Sequence, residues 1–538
     1  DVYGEIHPQN IPLITYLGQI NQARNEYSEA EQNFLLASKI AEQFFGAKNP
    51  DVVTTYSNLG AFYMEIGSYK KAEEYFTKSV EENKLMYGES HKEYSTALNN
   101  LAALYMSMAI DADKENEEID YGEKAEALYY ESLKTDSASG LLSHPDHASH
   151  LNNLAELYRA MGAYDLAEDL YFKCLQIEEA SFGKNSVNAA ITYHNLGLMY
   201  NGKKEFDLSE EYMQKALTIK EDVFGEKSLS NMTSYTSLAY LHEEAGRPEK
   251  AREFYQKALK TKYDLVDNAF SFMSEEEKLN FFRSTKNAND MFCAFALLNI
   301  GDNPDLAGEV YDLELRDKGA LLRTSNKMHD VISSGRDEQL LVTYKEWIAL
   351  RQQLSKLYAM PKSERRVVVE DVEERVDSLE KTLVVGSVDF KSLRIVPSDW
   401  RSVREALSVG EAAIEFMVYN NAMKEKNQDL YCALVLTQDT EHPAFFPLFH
   451  EMEIDTIISA STGTTITFVD DIYGNKMSPE SPLYGLIWEK LERHLAGIDK
   501  VYLANSGIMH KISHGAIRDT NGVYMADKYE LNYLSSTA

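Results

Sequence analysis

The stretch NLGAFYMEIGSYKKAEEYF, Asn58–Phe76, decides the fold. Leu59, Phe62, Tyr63 and Ile66 fall at i, i+3, i+4 and i+7, so they share one face of a helix. Gly67 permits a turn. Ala72, Tyr75, Phe76 and Ser79 repeat the spacing on a second helix. The small Ala72 suits a close approach of the two helices, and the aromatic residues fill the wider gaps. One such hairpin cannot bury its apolar face alone, so copies of it must stack.

The copies are present. NLAELYRAMGAYDLAEDLY runs from Asn153 to Tyr171, and NLGLMYNGKKEFDLSEEYM from Asn195 to Met213. The marker leucines are Leu17, Leu59, Leu101, Leu154, Leu196 and Leu238. Ala30, Ala72, Ala167, Ser209 and Ala251 each follow their leucine by 13 residues, and Ala125 follows its own by 24. An 11-residue insertion, IDADKENEEID from Ile110, therefore sits inside the third repeat. It is acidic and lacks an apolar period, which predicts a solvated turn. Aromatic-Gly joints keep the same time: Gly4, Gly46, Gly88, Gly183 and Gly225 are separated by 42, 42, 95 and 42 residues. Tyr3-Gly4 is in register with Phe45-Gly46, so it reads as the joint after a helix the chain does not contain. The expectation is a cut N-terminus, with the apolar face at Leu13, Leu17 and Ile20 missing its neighbour.

The Leu–Gly/Ala–x–x–Tyr and Ala–Glu–x–x–Tyr/Phe positions resemble the tetratricopeptide repeat over about residues 11–262. The 42-residue period with its aromatic-Gly joint is similar to the longer variety of kinesin light chains. The resemblance implies six repeats over residues 1–262 and a groove for a protein or peptide partner. Asn58, Asn100, Asn153 and Asn195 recur one residue before the marker leucine, a position that faces the groove in that pattern. Amide side chains both donate and accept. The row either holds an extended peptide by its backbone or ties neighbouring repeats to one another.

Composition sets bounds. The 538 residues leave room for several domains, and a formal charge of −32 disfavours any general grip on nucleic acid. Cys174, Cys293 and Cys432 lie far apart, which suggests a reducing, cytoplasmic setting without a disulfide framework. No run of 18 apolar residues is present to span a membrane. No phosphate loop, Gly-x-Ser-x-Gly elbow or Cys-x-x-Cys pair occurs, and no cofactor is implied.

Residues 263–385 read as a helical spacer. Trp347, Leu350, Leu354 and Leu357 share a face, and Val369, Val372, Val376, Leu379 and Leu383 answer them after a turn near Pro361. From residue 386 the grammar changes to short β-rich runs, AAIEFMVY, DLYCALVLT, AFFPLF and KVYLANS, with the helix PLYGLIWEKLERHLAGI between them. This predicts an α/β domain with a largely parallel sheet.

WRSVREALSVGEAAIEF, LYGLIWEKLERHLAGIDKVYLANSGIMHKISHGAI and YMADKYELNYLSSTA together resemble the start of a CHAT domain, a caspase-like cysteine peptidase domain that often follows such repeats. The family's strand-end pattern is Asp-Gly-x-Leu-His-x-x-Pro-Phe. Gly507 and His510 match it, whereas Ser506, Met509 and Ser513-His514 depart from it. The resemblance implies an α-solenoid followed by an incomplete α/β caspase-like domain over residues 386–538, and proteolysis by a His–Cys dyad, in prokaryotic signalling or defence. That dyad is expected beyond residue 538, which leaves this chain inactive. The competing expectation is a non-catalytic scaffold with a degenerate α/β domain. Ser513-His514-Gly515 is also how the catalytic histidine of caspases looks, which makes His514 a candidate general base. Two facts oppose that role: the preceding loop matches the non-catalytic one, and no cysteine follows it. His510 reads as a structural histidine. His144, His147 and His150 offer a metal-like spacing, but His144-Pro145-Asp146 stands where Asn49-Pro50-Asp51 forms a joint, so no metal site is expected.

Overall fold

The computed structural model describes residues 7–23, 27–46, 48–111, 120–269, 275–334, 338–358, 399–420, 429–460, 472–474 and 481–537, together with 372, 375, 376, 378, 379, 382 and 383. The chain divides into two compact units, Asp1–Phe254 and Tyr255–Ala538.

The first unit is a run of helical hairpins: α1 (Ile11–Ala23) with α2 (Tyr27–Phe45), α3 (Pro50–Glu65) with α4 (Tyr69–Tyr87), and α5 (Lys92–Asp111) with α6 (Tyr121–Ala138). It continues with α7 (Pro145–Ala160) and α8 (Tyr164–Phe182), α9 (Val187–Gly202) and α10 (Phe206–Phe224), and α11 (Leu229–Glu244) and α12 (Pro248–Ala269). The last helix crosses the division between the units. The six hairpins are those read from the leucine spacing. The joints work as their residues require. Asn49 caps α3 ahead of Pro50, and His144 caps α7 ahead of Pro145. Gly88, Gly183 and Gly225 end the second helices at φ of 82°, 89° and 76°, a region open to glycine. The joint at Tyr3-Gly4 and residues 112–119 of the insertion lie outside the described residues; α5 and α6 flank the insertion.

The six small residues, Ala30, Ala72, Ala125, Ala167, Ser209 and Ala251, are all fully buried. Five marker leucines are buried, whereas Leu17 is 42% exposed. One interaction recurs between stacked repeats. The tyrosine four residues after a marker leucine reaches back 32 residues to the glutamate beside the preceding repeat's small residue. The pairs are Tyr63–Glu31 at 2.6 Å, Tyr105–Glu73 at 2.6 Å, Tyr158–Glu126 at 2.5 Å and Tyr200–Glu168 at 2.6 Å. In the sixth repeat His242 takes the place of tyrosine, 3.6 Å from Glu210. Burial and the glutamate partner push these tyrosine hydroxyls well above their ordinary pKa, so they remain donors. A second series pins the other end of the first helices: Tyr56–Glu42 at 2.8 Å, Tyr193–Glu179 at 2.7 Å and Tyr235–Glu221 at 2.6 Å.

In the second unit, β1 (Glu411–Asn420), β2 (Asp429–Thr437), β3 (Ala444–His450), β4 (Lys500–Ala504) and β5 (Glu530–Leu534) form one sheet in the order β3-β2-β1-β4-β5. The expectation of a largely parallel sheet needs correction. β1 pairs parallel with β4, and β4 with β5, but β1–β2 and β2–β3 are antiparallel. The cause is local, because β1 to β3 follow one another through short connections and form a meander. α13 (Glu275–Asn299) and α14 (Asp305–Ser334) pack against β1, so this part of the predicted spacer is a layer of the sheet domain. In α15 (Glu338–Tyr358), Tyr344 and Trp347 bury against Leu379 and Leu383, and Leu350 and Leu354 against Val372. That is the pairing the apolar stripes predict; Pro361 and Val369 lie outside the described residues.

The tyrosine–glutamate bond is a hydrogen bond to a charged acceptor. Tyr200→Phe is expected to lower the unfolding free energy by about 1.5–3 kcal/mol, measured by urea denaturation.

Candidate functional site

The first helices of successive repeats pack against one another, α3 with α5, α5 with α7, α7 with α9 and α9 with α11, more closely than the second helices do. They therefore line the inner side of the stack. On that side the residues at i, i+3, i+4 and i+7 are Thr54, Ser57, Asn58 and Ala61 on α3 and Thr96, Asn99, Asn100 and Ala103 on α5. The corresponding sets are Ser149, Asn152, Asn153 and Glu156 on α7 and Ile191, His194, Asn195 and Leu198 on α9. All are half-buried or exposed except Asn99, which is buried. In a chain this acidic the stripe holds one charge, Glu156, and Arg159 answers it with two bonds of 3.1 and 2.9 Å.

The structure places the four predicted asparagines at one register on this face. Asn153 donates its amide to Asn99 at 3.3 Å, and Asn195 donates to Asn152 at 3.0 Å, so part of the row bridges neighbouring repeats. In the next repeat Ser237 meets His194 at 3.5 Å. No side-chain hydrogen bond joins Asn58 or Asn100 to another described residue. Elsewhere in this unit, Leu175, Glu179, Lys184, Tyr193, Tyr212 and Lys215 are among the residues lining an open pocket of about 520 Å³.

A buried polar column was missed in the sequence. Asn83, Asp136, Glu178, Lys220 and Lys262 occupy one register position, 24 residues after the marker leucine or 35 in the third repeat, and all are buried. Its signal was a polar residue recurring three positions after an apolar one, Val80, Leu133, Leu175, Leu217 and Leu259. Asp136 collects His147 Nδ1 at 2.8 Å and His150 Nδ1 at 2.9 Å on one carboxylate oxygen, and the Ser95 hydroxyl on the other. His147 and His150 thus share a helix face within α7, which begins at Pro145, whereas His144 stands outside it as the cap. The Ser-His-Asp grouping is not a hydrolytic relay. Ser95 and Asp136 both approach Nδ1 of His150, whereas a relay needs them on opposite ring nitrogens. Among the described residues no three His, Cys, Asp or Glu side chains group to hold a metal ion. Further along the column, Thr192 donates to Glu178 at 2.7 Å, whose pKa burial raises. Lys220 donates to Ser234 at 3.1 Å, and burial lowers its pKa.

In the second unit, His514 is fully buried. It stacks on Phe416 with ring centroids 5.2 Å apart, and Trp488 and Tyr533 stand beside it. Neither ring nitrogen has a hydrogen-bond partner among the described residues, and burial lowers its pKa to about 4. Cys432 pairs with Met417, one step out of phase with the Ala433–Phe416 pair, so it points to the other face of the sheet from His514. Burial pushes all three thiols upward, Cys174 to about 12, and Cys293 and Cys432 well above the ordinary thiol value. Buried thiols with raised pKa values are poor nucleophiles at neutral pH. Gly507 sits at φ 55°, and a Cβ there would run into the Tyr431 hydroxyl, which accepts the Ile508 N–H at 3.0 Å. His510 is exposed on a turn of 3-10 helix, Gly507–Lys511, and does not hold the loop from within.

The model of the tetratricopeptide repeat matches residues 11–81, 51–109, 146–222 and 188–263. These matched residues are tetratricopeptide repeats. None of the curated proteins matches the chain. Among solved structures, the crystal structure of BtubC (BKLC) from P. vanneervenii is 19% identical, covering 46% of this chain and 91% of that one at a TM-score of 0.37. A putative kinesin light chain with nearly identical repeats from Podosopora anserina is 18% identical, covering 40% and 98% at 0.34. The pilF protein of Pseudomonas Aeruginosa is 17% identical, covering 47% and 92% at 0.29. No described helix is long and apolar enough to cross a membrane.

Burial alone would raise the Asp136 pKa; the bonds from His147, His150 and Ser95 outweigh it and hold the carboxyl below its ordinary value. A depressed folded-state pKa contributes stability above the unfolded value, about 4, and loses it as pH falls toward the folded one. Asp136→Asn is therefore expected to destabilise strongly at pH 7 and progressively less below pH 4, read from denaturation midpoints across that range.

Proposed function

We propose that this chain is a protein-binding scaffold of tetratricopeptide repeats joined to a caspase-like unit of the CHAT kind. The first-helix face takes an extended, uncharged stretch of partner polypeptide. The observation that carries this reading is the row Asn58, Asn100, Asn153 and Asn195, half-buried at one register on a stripe whose one charge is already answered. Amides at a repeating interval match the donors and acceptors of an extended backbone. The stripe lacks the lysines or arginines that a carboxylate-ended or phosphorylated ligand requires. A second reading is favoured by the Asn153–Asn99 and Asn195–Asn152 bonds: the row stiffens the stack and binds nothing.

The likeness of the second unit to a CHAT domain rests on its sequence motifs, with Gly507 at the turn where the family keeps glycine. We assign no dyad within the described residues, because Cys432 and His514 occupy opposite faces of the sheet. The acidic surface, the free buried thiols and the family resemblance suit a cytoplasmic partner in prokaryotic signalling or defence.

Two experiments test these readings. In a screen of unstructured peptides against the full chain, Asn100→Ala with Asn153→Ala is expected to weaken the selected peptides by about 0.5–1.5 kcal/mol per lost bond, with helicity unchanged. Unchanged affinity with a lowered melting temperature selects the stiffening role. With a thiol-reactive peptide probe, Cys432 is expected to stay unlabelled; labelling that disappears in His514→Ala, together with peptide cleavage, would reverse the assignment.

A further inference from the structure

Adjacent residues of α14 hold different parts of the second unit. Asp317 accepts Lys262 Nζ from α12 at 2.7 Å and Asn289 Nδ2 from α13 at 2.6 Å on one oxygen, and the Tyr263 hydroxyl at 2.8 Å on the other. Lys262 is fully buried and also donates to Asn289 at 3.1 Å. The Arg316 guanidinium lies 3.7 Å from the Tyr263 ring centroid and covers this clamp. One residue on, Lys318 donates to Glu415 of β1 at 2.7 Å and to the Phe416 carbonyl at 2.9 Å, with Glu314 at 3.7 Å.

Glu415 is fully buried within the sheet, and its second oxygen gathers the chain beyond β5. The Thr537 N–H reaches it at 2.6 Å, the Thr537 hydroxyl at 2.8 Å and the Ser536 hydroxyl at 3.3 Å. Tyr311, also on α14, meets the Thr537 hydroxyl at 2.8 Å. In the sheet register Glu415 stands opposite Ala504, and Ala504 opposite Leu534, the last residues of β4 and β5. The second clamp therefore sits at the carboxyl edge of the parallel strands, where open α/β sheets place their ligand sites.

We infer that α14 is a coupling rod, through which the position of the end of α12, the second helix of the sixth repeat, sets the order of the strand ends at Thr537. Buried ion pairs add little net stability, but neither partner can be left alone without a large desolvation cost. A shift of Lys262 therefore carries Asp317 with it. Lys318, the next residue of the same rigid helix, moves in turn and takes Glu415 and its bonds along. Two charged clamps one residue apart on a helix are the geometry that transmits such a shift.

The test is hydrogen exchange on the full chain. Lys262→Met alters α12 and touches neither β1 nor β5. It is expected to speed exchange of the Thr537 amide at least tenfold, while amides of Leu434–Leu436 in β2 keep their rates. Tyr263→Phe removes one bond to Asp317 and keeps the fold if Lys262→Met loses it; a smaller acceleration at Thr537 is expected. Lys262→Met combined with Thr537→Val should leave the amides of Leu531–Leu534 no faster than the faster single variant, since both cut one line of contact. An unchanged Thr537 rate in Tyr263→Phe, uniform acceleration of β2 and Thr537 alike, or multiplicative effects in the double variant would overturn the inference.

Discussion

A tyrosine hydroxyl that reaches back 32 residues to a glutamate carries the stacking of the first unit. It joins the first helix of one repeat to the second helix of the repeat before it. The tyrosine stands four residues behind the buried leucine, and the glutamate follows the fully buried small residue. Apolar burial alone would let stacked hairpins slide along one another. A directional bond to a charged acceptor fixes their register. The insertion shows which distances matter: in sequence it falls between the two helices of the third hairpin, outside the 32-residue span between repeats, and the spacing of Tyr158 and Glu126 is kept.

The inner face and the polar column follow from that register. Because each repeat presents the same positions to its neighbour, asparagines line up along the first helices, and one buried position is polar in five of the six repeats. The column changes character along the stack, from Asp136 with its two histidines to Glu178 with Thr192 and Lys220 with Ser234. Each interface thus has its own polar pairing while the apolar frame stays constant, which suits a stack whose repeats must keep their order.

The sequence carried the solenoid almost whole, because its evidence was local and repeated: Leu59 to Ile66 on one helix, Ala72 to Ser79 on the next, six times over. What stayed hidden were pairings between distant residues. Nothing near Asp136 signals that His147 and His150 converge on it. Nothing in the β-rich runs distinguishes a meander from parallel strands until the connections fold. α13 and α14 looked like a spacer because apolar periodicity shows that a helix is covered, not by what. His514 resembled a catalytic histidine only through Ser513 and Gly515 beside it, and the rest of the sequence opposed that role; its surroundings in space are aromatic rings, and the nearest thiol-bearing strand turns its cysteine the other way. The asparagine row was legible as a row, while its division between bridging and open positions was not.

The claim that a 42-residue register organises the first unit is tested most directly by removing one period. Deleting Lys184–Gly225 joins Gly183 to Glu226 and brings α8 against α11. The three column and tyrosine contacts then have substitutes: Ser234 for Thr192 at Glu178, Tyr235 for Tyr193 at Glu179, and His242 for Tyr200 at Glu168. The shortened chain should remain helical and unfold cooperatively, and a deletion longer by one helical turn should aggregate or lose cooperativity, both read by circular dichroism during thermal unfolding. Equal behaviour of the two deletions would contradict the account.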